Sequence, residues 1–202
     1  MENSQQKRNW INLRDAIVLG MFSVLSFLIE TTLGLILYAF ASIPLAGGIV
    51  SGLFDAILIF LAAYLVPRRG AALLFAVLLL SMSTVTPSFG PPGVYKIVIG
   101  IALGAAVEAI LLVLGRSVWV YIFATGVAFA LSIPVTYLAW CHYGIPGADK
   151  LKPLLLTLIC VYFFIGVCGG SVGAWIYHAR LQKHSAIVRL RLGKDSRHGT
   201  SG

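Results

Sequence analysis

Charged residues are scarce in this chain of 202 residues. They make up 11% of it, whereas hydrophobic residues make up 59%, and the mean hydropathy is +0.93. The sequence contains no long polar stretch that would form a separate soluble domain, so this composition excludes an ordinary soluble globular protein. We therefore expect one membrane-embedded domain.

Cysteines and catalytic motifs are scarce as well. Two of the three cysteines, Cys160 and Cys168, lie inside an apolar segment, and together with Cys141 they support neither a disulfide framework nor a metal site. The sequence has no His-Glu-x-x-His motif and no P-loop, and it is too short to hold an ATPase domain beside a membrane bundle. We expect neither an enzyme nor a bound metal or cofactor, and active transport would need an energy source outside this chain.

What the chain has instead is apolar sequence from Ala16 to Tyr177, divided by prolines, glycines, arginines and one polar stretch at 141–152. A bilayer crossing needs ~17–25 mostly apolar residues, which most of the pieces reach, although the third is marginal. The sequence therefore predicts an all-α membrane protein built as a six-helix transmembrane bundle. The predicted spans are roughly 16–41, 45–66, 71–86, 94–114, 118–140 and 153–177.

Basic residues are distributed unevenly between the two sides of such a bundle. Twelve lysines and arginines fall on one side, among them Arg68, Arg69 and Arg116, and three fall on the other. Because basic loops stay in the cytoplasm, we expect both termini there, with a tail at 1–13, a transmembrane domain at 14–178 and a basic tail at 179–202. The basic side should meet anionic lipid headgroups, and we expect no nucleic-acid partner.

Small residues recur four positions apart in several spans. Membrane helices associate through close contact at such residues, because lipid tails are as apolar as leucine. Ala16 and Gly20 form such a pair at the cytoplasmic end of the first span. The other pairs, which we expect to hold the bundle together, are Gly48/Gly52, Gly100/Gly104, Gly166/Gly170 and Gly169/Gly173.

Three acids, Glu30, Asp55 and Glu108, lie within apolar spans, where exposure to lipid would be costly. Asp55 and Glu108 share a helix face with the glycine pairs that precede them, so both should point into the bundle. Two interpretations remain open. The acids can be polar contacts between helices, paired with one another, with Lys96 or with hydroxyls, or at least one can bind a cationic or hydrogen-bonding substrate.

Aromatic residues gather at the predicted outer loops. Tyr95 follows the non-helical stretch Pro87–Gly93, and Trp140, His142 and Tyr143 open the polar loop. Irregular backbone near membrane depth needs covering protein or a water-filled cavity, which predicts a cavity near the outer face. The aromatic rings can form an interfacial belt, or they can stack on a flat heterocycle or hold a cation.

Together these features resemble the substrate-specific (S) components of energy-coupling factor (ECF) vitamin transporters over nearly the whole chain. The first helix of those proteins carries a small-xxx-small motif, here Ala16-Ile-Val-Leu-Gly20. The resemblance implies a multi-pass protein of a prokaryotic plasma membrane, in which Ala16 and Gly20 pack on a transmembrane coupling subunit and two cytoplasmic ATPase subunits supply energy. It also implies that outer loops, here 87–93 and 141–152, close over a small vitamin-like substrate.

Within the family, the chain is most similar to the YkoE-type branch, which is associated with thiamine or its hydroxymethylpyrimidine precursor. The similar stretches are Leu13–Ala16, Pro67–Leu74 and Gly100–Glu108. One feature differs, because Thr31–Phe40 lacks the tryptophans associated with thiamine-type binders.

The predicted function is therefore that of a membrane substrate-binding subunit of an ECF-type importer. Two alternatives remain open: a self-standing proton-coupled carrier and a non-transporting membrane scaffold. A duplicated half would favour the carrier, but we find no convincing repeat between 14–86 and 94–178, and a scaffold would leave the intramembrane acids unexplained. The predicted substrate-binding residues are Glu30, Asp55, Tyr95, Glu108, Trp140, His142 and Tyr143.

Overall fold

The part of the chain that the structure describes forms six main helices of 12 to 29 residues. A computed structural model describes residues 11–41, 46–87, 90–145 and 148–181, so the predicted tails at 1–13 and 179–202 lie mostly outside the described residues. No strand occurs in these four ranges, and the predicted all-α class is confirmed. The helices are α1 (Leu13–Ala41), α2 (Ala46–Leu65), α3 (Ala71–Met82), α4 (Tyr95–Leu114), α5 (Val118–His142) and α6 (Leu155–Ala179).

Among the described residues, four helices are long and apolar enough to cross a membrane. They are α1, α4, α5 and α6, the last together with the 3-10 turn that precedes it. The other two apolar stretches, Val50–Leu65 and Ala71–Val85, are shorter. At 1.5 Å per residue, the 12 residues of α3 extend roughly 18 Å, well short of a ~30 Å hydrocarbon core. The chain is therefore a multi-pass membrane protein, and the count of six spans stays a prediction.

The helices form a closed ring in the order α1, α2, α6, α5, α4, α3 and back to α1. Helix α2 also contacts α3 and α5 across the ring, so it is the most enclosed of the six, and every residue from Leu58 to Val66 is buried. The core of the protein consists of the faces that the other helices turn toward α2 and toward one another.

The bundle has two chemically different ends. The arginine end holds the connections 66–70 and 115–117. Helix α1 also begins at this end, as the 3.5 Å distance between Asp15 and the Nε atom of Arg68 shows. Asp15 also accepts the N–H of Asn12 at 3.2 Å. The loop end holds the connections 83–94 and 143–154, including a 3-10 turn at Ser83–Val85. The first turn of α1 carries Asp15, where the positive end of the helix dipole favours an acid.

Glycines allow the helix backbones to approach closely at three contacts. An added Cβ at Gly104 would lie 2.5 Å from the Cα of Leu73, so α4 meets the backbone of α3. A Cβ at Gly166 would lie 2.7 Å from the Cα of Gly126 in α5, and one at Gly169 would lie 2.9 Å from the carbonyl oxygen of Leu53 in α2. These contacts agree with the role predicted for the glycine pairs. Gly48 lies in α2, and its contacts are outside what the structure describes.

We predict that Gly104→Ala lowers the free energy of unfolding by about 1–3 kcal/mol, because the added methyl group must displace the backbone of α3. Gly52→Ala is the matched control. Its Cβ would meet the side chain of Phe129 at 3.6 Å, an ordinary contact, and should cost far less. Thermal unfolding of the purified proteins in one detergent compares the two variants. If both variants lose the same free energy of unfolding, close approach at Gly104 is not what holds α3 against α4.

Candidate functional site

A cavity lies inside the helix ring, between α2, α3, α4, α5 and α6, in the half of the bundle nearer the loop end. Its volume is about 50 Å³, which is room for roughly a few water molecules. Apolar side chains such as Phe75, Leu79 and Phe129 make up most of its wall. The polar residues that line it are Asp55, Lys96, Ser132, Thr136 and Tyr162.

Asp55 is the one predicted site residue that lines the cavity itself. It comes from the middle of α2, is 3% exposed, and accepts a hydrogen bond from the hydroxyl of Ser26 at its Oδ1 atom. Its Oδ2 atom is buried and has no hydrogen-bond partner among the described residues. Asp55 therefore lines the cavity and has one acceptor oxygen that no described residue uses, and its predicted inward direction agrees with the structure.

Lys96 is fully buried at the loop end, at 0% exposure, and its ammonium group holds irregular backbone in place. The Nζ atom donates hydrogen bonds to the carbonyl oxygens of Ser83 at 3.0 Å and Thr86 at 2.6 Å. Glu30, also fully buried, accepts a hydrogen bond from the Ser83 hydroxyl at 2.9 Å. Glu30 is close enough to interact electrostatically with both Lys96 and Asp55. Asp55 and Lys96 thus lie in the cavity wall, and Glu30 lies near both of them without lining the cavity.

Helix α5 contributes two hydroxyl groups that sequence analysis overlooked. Ser132 and Thr136 flank Pro134, which lies inside the helix. Because proline has no backbone N–H, the carbonyl four residues before it loses its helical hydrogen bond. Their hydroxyls donate to the carbonyls of Phe129 at 2.6 Å and Ser132 at 2.7 Å, and both side chains line the cavity. A signal was present, because a proline within an apolar span frees a backbone carbonyl, and the hydroxyls of nearby Ser and Thr residues are groups that can satisfy it. Tyr162 of α6, also missed, had no comparable signal.

Tyr95 and Trp140 are buried beneath the 83–94 connection and do not line the cavity. The Tyr95 hydroxyl donates to the carbonyl of Pro91 at 2.7 Å. Gly90 adopts a positive φ of 100°, and a Cβ there would lie 2.4 Å from the Trp140 ring, so only glycine fits against this indole. These two aromatic residues hold the connection against the bundle.

His142 and Tyr143 are exposed at the end of α5. Their rings meet edge to face with centroids 5.2 Å apart, and the Tyr143 ring lies 6.4 Å from that of Tyr95. The four predicted residues of the outer loops are therefore neighbours, two under the connection and two at its rim.

Glu108 lies at the opposite end of the bundle, apart from every other predicted site residue. Its Oε1 atom accepts the backbone N–H of Ala72 at 3.0 Å, and its Oε2 atom lies 3.7 Å from the guanidinium of Arg116. The carboxylate thus occupies the positive end of the α3 dipole. Eight residues separate Glu108 from Gly100, about two helical turns, and this distance carries it away from the cavity.

Ala16 and Gly20, the predicted partner contact, lie along the border between the buried and exposed faces of α1. An added Cβ at Gly20 would meet nothing within 4 Å. Large apolar side chains on the neighbouring surface of α1, including Leu13, Ile17 and Met21, are exposed. This face of α1 can receive another helix without rearrangement of the bundle.

Two other kinds of site are not supported. Gly169–Gly173 matches the Gly-x-Ser-x-Gly string of serine hydrolases, but it lies within α6, and the exposed Ser171 hydroxyl donates to the carbonyl of Val167 at 2.7 Å. A nucleophile of that kind needs a strand-to-helix turn. No cluster of three potential metal ligands occurs among the described residues.

Comparison with known proteins identifies the fold. No protein-family model matches the chain, and no curated protein matches it. A solved structure described as an S-component of an ECF transporter is similar over 91% of this chain and 94% of its own, with a TM-score of 0.59 and 20% sequence identity. The chain therefore has the fold of an ECF transporter S-component.

Proposed function

We propose that this protein is the substrate-binding membrane subunit of an ECF-type importer. The observation that supports the proposal most strongly is the cavity inside the ring, where a buried carboxylate with an unused acceptor oxygen stands among apolar side chains and hydroxyls. A few polar groups in an apolar pocket are what specific small-molecule sites have in common. The fold similarity over nearly the whole chain supports the same class.

The charge balance around the cavity favours a neutral or cationic ligand. Two acids, Glu30 and Asp55, lie in this region with one base, Lys96, and Lys96 already donates to two backbone carbonyls. An anion would therefore meet repulsion in a medium of low dielectric constant, where repulsion is strong. We propose thiamine or hydroxymethylpyrimidine as the first candidates, with an N–H of the ligand donating to Asp55.

Ligand entry requires movement of the loop end. The cavity of about 50 Å³ is smaller than the ~300–1,000 Å³ of typical small-molecule sites. The nearest cover consists of the 83–94 connection and four side chains beside it, namely Tyr95, Trp140, His142 and Tyr143. We propose that this cover opens to admit the ligand and closes over it. Glu108, held by Ala72 and Arg116, belongs in this proposal to the packing of the arginine end.

We predict that Asp55→Asn weakens the binding of hydroxymethylpyrimidine or thiamine by about 10- to 150-fold, which is the usual loss for one charge-assisted hydrogen bond. Asp149→Asn is the matched control, because Asp149 is an exposed acid at the same end of the bundle. Isothermal titration calorimetry of the purified protein measures both variants, with succinate as the anionic comparison. Equal affinity of wild type and Asp55→Asn, or tighter binding of succinate, would reject this substrate assignment.

The same proposal assigns the arginine end to the cytoplasm. In a variant without native cysteines, an impermeant maleimide added outside cells should label Pro92→Cys and Asp149→Cys. Arg69→Cys and Arg116→Cys should react only after the membrane is opened. Labelling of Arg69→Cys in intact cells would reverse the orientation, since the positive-inside rule is its basis.

We propose that the face of α1 around Ala16 and Gly20 contacts the coupling subunit. Gly20→Leu should then abolish uptake but leave ligand affinity unchanged, because bulk blocks close helix approach and the cavity is distant. Ala105→Leu places the same leucine side chain at an exposed position on α4 and should leave both properties intact. Uptake and calorimetry in parallel separate the two effects, and loss of ligand binding in Gly20→Leu would contradict this assignment.

A further inference from the structure

A recess at the arginine end is used by neither the substrate cavity nor the α1 face. It lies between the 66–70 connection and the end of α4 and has a volume of about 320 Å³. This size falls at the lower end of the ~300–1,000 Å³ typical of small-molecule sites. Its lining residues are Pro67, Arg69, Leu111, Leu112 and Arg116.

The recess carries an excess of positive charge. Arg69 is exposed and makes no ion pair with any residue that the structure describes. Arg116 lies 3.7 Å from Glu108, whose other carboxylate oxygen is already occupied by the N–H of Ala72. Two guanidinium groups therefore line the recess, and the carboxylate of Glu108 pairs with only one of them, that of Arg116. Guanidinium groups bind phosphate through paired N–H donors, which makes a phosphate group the ligand that this chemistry suits.

The surface beside the recess is apolar. Leu112 is 57% exposed, Val113 81% and Leu114 56%, and Trp119 is exposed at the start of the next helix. A free phosphate ion would gain nothing from these side chains. Acyl chains would cover them, and tryptophan is typical of the interface between headgroups and hydrocarbon.

We propose that the recess binds an anionic phospholipid, with the headgroup phosphate between Arg69 and Arg116 and the acyl chains along Leu112–Leu114. The location fits, because basic residues at the ends of membrane helices meet the anionic lipids of the cytoplasmic leaflet. The recess shares no lining residue with the substrate cavity and does not include Ala16 or Gly20, so the purified chain alone can test it.

The test uses the purified full-length chain in a neutral detergent, titrated with phosphatidylglycerol or with phosphatidylcholine of the same acyl chains and followed by native mass spectrometry. Phosphatidylglycerol should bind preferentially to one site. Arg69→Gln should weaken this binding by at least about tenfold, the scale of one lost charge-assisted contact. Arg14→Gln removes the same charge from an exposed position of α1 at the same end and should change the affinity little.

Three results would overturn the proposal. Equal binding of the two lipids would remove the role of the headgroup charge. Equal losses in Arg69→Gln and Arg14→Gln would show attraction to the whole basic end instead of a site. Inorganic phosphate, added alone, should not raise the midpoint of thermal unfolding. A rise as large as that from phosphatidylglycerol would mean that the recess takes free phosphate and not lipid.

Discussion

The shortness of α3 is the constraint on which the loop end of the molecule depends. Because this helix ends at Met82, the backbone from Ser83 onward turns irregular while still inside the ring, where its carbonyls need donors. The buried ammonium of Lys96 supplies them by binding the carbonyls of Ser83 and Thr86. A buried cation in turn requires counter-charge, and Glu30 interacts with it electrostatically. The irregular backbone, the lysine and the acid thus form one interdependent group, and the cavity lies directly beside it.

The two ends of the bundle use their charges in opposite ways. At the loop end the charges are buried, and the region holds one more acid than base, which suits a neutral or cationic ligand. At the arginine end the cations lie near the surface, and the two acids that the structure describes there are engaged: Asp15 with Arg68, and Glu108 with Arg116 and Ala72. Both pairs tie a helix to a neighbouring connection. The excess guanidinium groups then face outward, where anionic headgroups are the natural counter-charge in a membrane.

The helix frame and the connection at the loop end are held by different kinds of contact. Helices α3 and α4 touch through Gly104, and α6 touches α5 and α2 through Gly166 and Gly169, all at backbone distance. Such contacts resist change, because the interior has no space to absorb an added atom. Within the 83–94 connection, Ser83 and Thr86 are held by the buried Lys96, whereas Gly90 and Pro91 are held by packing against Trp140 and by the Tyr95 hydroxyl. Under the proposed function, opening breaks the contacts at Gly90 and Pro91 and leaves the ring unchanged.

Local pattern decided the helices, and the sequence was therefore sufficient to predict their class, their limits to within a few residues and the inward direction of Asp55. These properties depend on apolar length, on prolines and on helical periodicity, all of which act between near neighbours in the chain. It was also enough to pick out the glycines as contact points, although not the helix that each one meets. Tertiary structure alone decided which of the acids lie together: Glu30 is near both Lys96 and Asp55, whereas Glu108 caps α3 at the far end. It also brought Ser132, Thr136 and Tyr162 to the cavity and buried Tyr95 and Trp140 beneath the connection instead of in the cavity wall. These outcomes depend on the order of helices around the ring, which is set by packing between segments far apart in the sequence and leaves no periodic trace within any one of them.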